Sequence, residues 1–437
     1  MMKTKPTKIA TLFSSLLLLG AAMPLAAHDM VPGAKQQQPI LLTDATIHTV
    51  SQGVLQNADL LMVDGKIAAM GPDLTVPADA KVLSMQGKHL YPGLIALANQ
   101  LGLIEIEAVR ATDDTNEVTD TNPDVRARIA YNADSEVIPT VRSNGFSYSL
   151  VYPKGSVLMG QSSLMQLDAW NWQDATVVDG VGLHINWPSA SSTAPWWSDD
   201  KPEDVAKKNQ QELTQLKSYF VQAKAYAAAK KADVGQALDS RWEAMLPVLA
   251  GQRPIFVHAD DVRQIRQAML LAKEYQLKLV IVGGRDSWRI ADELAAAKVS
   301  VIFTAPYGIP EREDEANDTA FKTPALLQQA GVNFALSLDG YWDTRNLVFG
   351  AGQAISYGLS PEQALAAVTL NAANIAGVGA QIGSLEVGKA ATVVVSDGDI
   401  FDYLSSQVRY MWIDGRAVDL SNRNTQLQQK YSQRPAQ

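Results

Sequence analysis

The sequence predicts an α/β fold: a (β/α)8 TIM-like barrel inserted in a small β-sandwich module formed by both termini. Three observations point there. Segments 254–260, 278–284, 299–306 and 332–340 are continuous apolar runs of strand length, as strands covered on both faces should be. Helical patterns separate them; in 260–277, for instance, Ile265, Met269, Leu270 and Ala272 fall on one helical face. Repeated strand-then-helix units make a parallel sheet. The third observation is that strand-only sequence of alternating polarity appears at the two ends of the chain, so that one module flanks everything else.

Taken in order, residues 1–27 read as a secretory signal. Lys3, Lys5 and Lys8 precede an apolar run from Ile9, and small residues follow through Ala27. A periplasmic or secreted protein is therefore expected, with no membrane attachment after cleavage. Residues 39–90 and 378–420 form the composite β-module, with Asp64-Gly65 and Asp414-Gly415 as tight hairpin turns. Residues 91–377 form the barrel, with earlier strands at 91–97, 146–151 and around 181–187. A Trp-rich loop and helical insertion interrupts it around 187–245; Leu213, Leu216, Phe220, Ala223 and Ala227 stripe the helix. Five of the nine tryptophans (Trp170, Trp172, Trp187, Trp196 and Trp197) lie in or beside this insertion. They are suited to wall a ligand pocket, to bury a subunit contact, or to pack a lid on its own barrel.

Composition removes several functions. The chain of 437 residues has no cysteine, which excludes disulfides and thiolate catalysis. Its net charge of −9 becomes −12 once the three signal lysines are gone, which opposes binding to nucleic acid. The expected partner is a small-molecule substrate or ligand, with a homo- or hetero-oligomer left open.

In such barrels the site lies at the carboxyl ends of the strands. The polar residues that end the apolar runs are Asn99 and Gln100, His258 and Asp260, Arg285 and Asp286, Thr304, and Asp339. His258 and Asp339 stand out, because an imidazole and a carboxylate at two strand ends can share a metal or move a proton. They are the candidate catalytic residues. Asn99, Gln100, Arg285 and Tyr341 are the candidate substrate-lining residues. His48 and His89 fall in the β-module, and His28 near the mature N-terminus, away from the expected mouth.

With those residues in view, the chain resembles the amidohydrolase superfamily, in particular its exported, imidazolonepropionase-like branch. The carriers are "YPGLI" (91–95), "VHAD" (257–260), "SLD" (337–339), "YGLSPEQALAAVTLNAANIAGV" (357–378) and "IGSLEVGKAATVVVSDGD" (382–399), in family order and at family-like distances. The resemblance implies a metal-dependent hydrolase, yet most of the usual ligands are missing. Where the family carries Asp-x-His-x-His, this chain has Ala96, Ala98 and Gln100, and the sixth-strand histidine falls near Gly283. Alanine and glycine cannot coordinate, and a neutral amide is a poor zinc ligand.

The resemblance thus implies at most one divalent metal, zinc most fittingly, on His258 and Asp339; His184 reaches the same mouth as a third ligand if its segment is the third or fourth strand, and a site without metal is the alternative. Three functions remain open. One is hydrolysis of a non-peptide C–N bond, in a cyclic or small amide, from a reduced metal site. Another is a catalytically silent homologue that binds a small molecule or pairs with an active paralogue. The third is a metal-free hydrolase using His258 and Asp339 alone.

Overall fold

Both ends of the chain contribute to one sheet. A computed structural model describes residues 30–434 apart from 118, 120, 195, 196, 233, 234 and 314. The expected signal, His28 and Trp196 lie outside the described residues. Strands Ile40–His48 (β1), Val54–Val63 (β2), Lys66–Gly71 (β3), Lys81–Ser84 (β4) and His89–Pro92 (β5) open the fold. Near the other end, Val393–Ser396 (β16), Val408–Ile413 (β17) and Arg416–Ala417 (β18) join them in an eight-stranded sheet, ordered β18-β17-β16-β5-β1-β2-β3 with β4 beside β1. This single sheet has its own core, including Leu42, Leu60, Met62, Val393 and Trp412. Asp64-Gly65 and Asp414-Gly415 turn the β2–β3 and β17–β18 hairpins with φ values of 49°, 75°, 50° and 72°. Such paired left-handed residues match the twist of the strands they join. The two turns also touch: a Cβ on Gly65 would lie 2.9 Å from the Asp414 carbonyl oxygen. Glycine is needed there twice over, for φ and for clearance.

Between these ends runs the barrel. Its parallel strands are Leu94–Asn99 (β6), Phe146–Val151 (β7), Leu183–Asn186 (β11), Ile255–Ala259 (β12), Leu279–Gly283 (β13), Ser300–Phe303 (β14) and Phe334–Leu336 (β15). The third position departs from the expected pattern. It is filled by Leu158–Gln161 (β8) and Ser163–Gln166 (β9), which run antiparallel to β11 and β7 respectively. Thr176–Val178 (β10) extends β9 outward. Ser337 Oγ donates to the Leu97 carbonyl where the last barrel strand meets the first.

Alternate residues sort into two layers, as a period of two requires. Ile95, Tyr148, Leu150, Phe256, Val282 and Ile302 pack together inside the barrel. Leu94, Phe146, Ile255, Val257, Ile281 and Val301 belong to the core shared with the helices.

The helices are Val137–Arg142 (α1), Trp172–Ala175 (α2), Pro202–Ala232 (α3), Ser240–Leu249 (α4), Val262–Tyr275 (α5), Ala291–Ala296 (α6), Thr319–Gln329 (α7), Leu347–Ser356 (α8), Pro361–Ala367 (α9), Leu370–Ile375 (α10) and Arg423–Ser432 (α11). Helix α3 is the expected insertion helix and buries Leu216, Phe220, Ala223 and Tyr226. Among the described residues, no helix is long and apolar enough to cross a membrane.

A buried ionic knot ties the chain ends to the barrel. Asp168 accepts from Arg142 Nη1 at 2.9 Å and from the Gly33 N–H at 2.9 Å, and lies 3.3 Å from Arg416 Nη1. Arg142 and Asp168 side chains are 5% and 1% exposed.

Candidate active site

The carboxyl ends of the later strands converge on a cavity of about 170 Å3. His258 from β12, Asp260 just beyond it, Thr304 after β14 and Asp339 after β15 all line it, with Trp187 and Gln264. The strand pattern dictates this. Phe256 and His258 are two apart and share the inward face of β12, so Phe256 packs in the core while His258 reaches the mouth. The Gln264 amide rivets the wall, donating to the carbonyls of Trp187 and Pro188 and accepting from the N–H groups of Asp260 and Asp261. A second cavity of about 390 Å3 shares Asn186, Trp187 and Gln264 and reaches Lys208 and Glu212 of α3. A larger cavity, about 1420 Å3, lies at the amino ends of β12–β15, remote from His258 and Asp339.

His258 does not stand alone. Its Nε2 is 2.9 Å from Nδ1 of His184, which is fully buried. The His184 ring is stacked on Tyr152 on one side and on Phe256 on the other, at centroid distances of 4.6 and 4.7 Å. Burial pushes the His258 imidazole down to about 3. Burial, and then His258, hold His184 well below the usual histidine range. Both rings are therefore neutral across ordinary working pH.

The carboxylates behave oppositely. Asp339 lines the cavity and is itself exposed at the mouth. Burial raises its proton affinity, the charge of Asp260 adds to this, and a hydrogen bond from Thr304 and the charge of Lys154 oppose it. Asp260 is raised by burial as well, against the Arg285 N–H, which donates to its Oδ1 at 3.1 Å. Two carboxylates and a neutral imidazole around one cavity can take a proton from water, return it, and donate a hydrogen bond.

Comparison with known proteins fits this geometry. The amidohydrolase family model matches residues 227–418. A solved amidohydrolase from Thermotoga maritima superposes with a TM-score of 0.78 at 26% identity, covering 87% of this chain and 99% of that one. The imidazolonepropionase of Shouchella clausii is 25% identical over 415 residues, 82% of this chain and 83% of its own.

The matched residues, 227–418, belong to the amidohydrolase family.

The chain is imidazolonepropionase-like. The amidohydrolase tasK of Hapsidospora irregularis is 20% identical over 392 residues, which is 81% of this chain and only 38% of that protein.

Amidohydrolases typically use divalent metals, and the donor set here does not fit one. His184, His258 and Asp339, the expected ligands, do not form a cage: no group of three His, Asp or Glu side chains able to hold a metal exists among the described residues. Nδ1 of His184 and Nε2 of His258 face each other across one proton, so they do not both offer lone pairs to an ion. On the first-strand side, Ala98 is fully buried and the Tyr152–His184–Phe256 stack fills the space below the mouth.

The expected substrate-lining residues are placed elsewhere, each for a local reason. Asn99 Oδ1 accepts from the Leu101 N–H and from Ser149 Oγ. Gln100 is buried beside the Tyr152 hydroxyl. Arg285 turns to Glu311 at 2.8 Å and to the Ile309 carbonyl, and Tyr341 donates to the Glu105 carbonyl. None of the four lines the cavity that holds His258 and Asp339. The tryptophans are dispersed too: Trp170 and Trp197 are exposed, Trp172 packs under Arg128, and Trp187 alone of those described lines the cavity. Asp260 and Thr304 were visible in the sequence as strand-end polar residues, but nothing there singled them out.

Gly283 shows why one substitution will not rebuild a metal centre. It has φ +96°, and a Cβ there would lie 2.6 Å from Asp260 Oδ1. Asp260 occupies the space a sixth-strand histidine would need. We expect Gly283→His to bind no zinc by plasma mass spectrometry and to lose about 2 kcal/mol of stability from backbone strain in denaturant unfolding. Stoichiometric zinc in the variant would show that Asp260 yields.

Proposed function

We propose that this amidohydrolase hydrolyses a non-peptide C–N bond of a small or cyclic amide, without a resident metal. One observation carries the reading: His258 and Asp339, from distant parts of the chain, line the same cavity together with Asp260 and Thr304. A silent homologue has no need of that convergence. At about 170 Å3 the cavity is below the usual range for drug-sized ligands and suits a small amide.

The chemistry assigns roles as follows. Ionised Asp339 takes a proton from a water molecule whose oxygen bonds to the amide carbon. The carbonyl π pair moves to oxygen, giving a tetrahedral oxyanion. As that pair returns, the C–N bond breaks and its electrons leave with nitrogen, which receives the proton held by Asp339. The products are a carboxylic acid and an amine. The negative charge of Asp260 supports Asp339 as a base by raising its proton affinity.

The experiment is a screen of small cyclic and acyclic amides with the purified protein, reading amine and carboxylate release with and without a chelator. Equal release of both products, unchanged by the chelator, is expected. Chelator-sensitive turnover restorable by zinc would overturn the metal-free assignment, and no turnover from folded protein would favour a silent binder.

A further inference from the structure

The paired histidines carry an inference about which proton His258 holds. His258 is half-buried and lines the cavity, with Nε2 turned to His184. Its Nδ1 has no protein partner among the described residues and is not among the sealed polar atoms, so it is the ring nitrogen left accessible. On the far side of the pair, Nε2 of His184 is sealed from solvent and has no hydrogen-bond partner.

That orphan nitrogen decides the tautomer. Each ring is neutral, so each carries one proton, and one proton lies between Nδ1 of His184 and Nε2 of His258. If His258 donates it, the remaining proton of His184 sits on the sealed Nε2 as a buried N–H with nothing to accept it. If His184 donates it, the sealed Nε2 is only an unused lone pair. Orphaned buried N–H groups are the rarer and costlier defect. The hydrogen bond then leaves the proton of His258 on Nδ1, since the partner of one ring nitrogen sets the state of the other.

We propose that His184 is a positioning residue that locks His258 in its Nδ1–H tautomer, so that His258 offers the cavity a hydrogen-bond donor and not a base. The stack between Tyr152 and Phe256 fixes the plane of His184, and with it the direction of the bond. In the hydrolysis proposed above, on which the catalytic consequence rests, the Nδ1–H polarises the substrate carbonyl and then steadies the oxyanion. A neutral imidazole suits this task because it donates without surrendering its proton. The donor does the work a metal would otherwise do at the carbonyl oxygen.

The tautomer can be read without turnover. Protein labelled with 15N-histidine has at most five imidazoles to resolve, and the His258 signals are identified by their loss in His258→Gln. We expect a protonated Nδ1 and a bare Nε2 at His258 at pH 7. The reverse pattern, or averaged nitrogens, overturns the inference whether or not any amide is hydrolysed. His184→Phe keeps the stack and removes the bond. It should let the His258 tautomers mix and lower kcat about 100-fold with KM within about twofold. His184→Asn, which keeps an amide N–H near the former Nδ1, should recover most of both. An unchanged His258 tautomer in His184→Phe would overturn the positioning role. If the wild type turns over no amide, the hydrolase reading fails alone and the nitrogen spectrum still decides this one.

Discussion

Asp339→Asn is expected to lose at least about 100-fold in kcat and yet to melt higher than the wild type at pH 7. The amide preserves size and shape but cannot take a proton from water, so the chemical step is lost. The stability gain follows from the direction in which Asp339 is shifted. Its proton affinity in the folded chain is raised by burial and by Asp260. The folded state therefore holds that proton more tightly than the unfolded state. The resulting stabilisation is complete below the ordinary carboxyl pKa and is lost as pH rises through the folded value. Asparagine carries no charge at pH 7, so the variant should melt higher than the wild type there, with the gap closing as pH falls below the ordinary carboxyl range. Rate measurements and thermal scans at pH 7 and below that range check both halves. An Asn variant with near-normal kcat would remove Asp339 from the base role. The same shift sets the pH profile: kcat/KM should fall on the acid side through one limb lying above the ordinary carboxyl range. No inflection near 6.5 is expected, because His258 is held down to about 3.

Asp168→Ala is expected to be the most damaging single change away from the mouth. Asp168 answers two guanidinium groups, Arg142 and Arg416, and caps the Gly33 N–H, in a place almost closed to water. Removing the carboxylate leaves buried positive charge without its counter-charge, a defect of about 3–5 kcal/mol. Urea unfolding followed by tryptophan fluorescence should show this as a lower midpoint. A loss under about 1 kcal/mol would mean that water reaches the knot. Asp168→Asn keeps one acceptor and should fall between the two.

The sequence carried the framework further than the site. Strands covered on both faces write themselves as apolar runs, so β12, β13 and β14 were legible, and Asp-Gly pairs announced both hairpins. The reversed third strand was not legible. Residues 158–166 have the composition of a strand either way, and direction is decided by the short link from Tyr152, which lets the chain turn back beside β7. His258 and Asp339 were legible because each follows an apolar run with an ionisable group. The approach of His184 to His258 was anticipated, but as shared metal ligands; their direct hydrogen bond was not legible, since it joins positions 74 residues apart through the register of β11 with β12. Arg285 misled for the opposite reason. A basic residue after a strand end points toward a substrate until Glu311, far along the chain, supplies its counter-charge.

The shared sheet has a consequence for the order in which this chain acquires its shape. Strand β5 pairs with β16, and nearby Lys88 meets Asp397 across a separation of 309 residues. No local hairpin can satisfy the outer edge of β5 in the meantime. A growing chain must therefore carry an unfinished sheet edge through almost the whole of its synthesis, and closing so long a loop slows the final step. The first strands made are among the last completed. Truncation after the barrel would leave the outer edge of β5, near the beginning of the protein, without its partner β16.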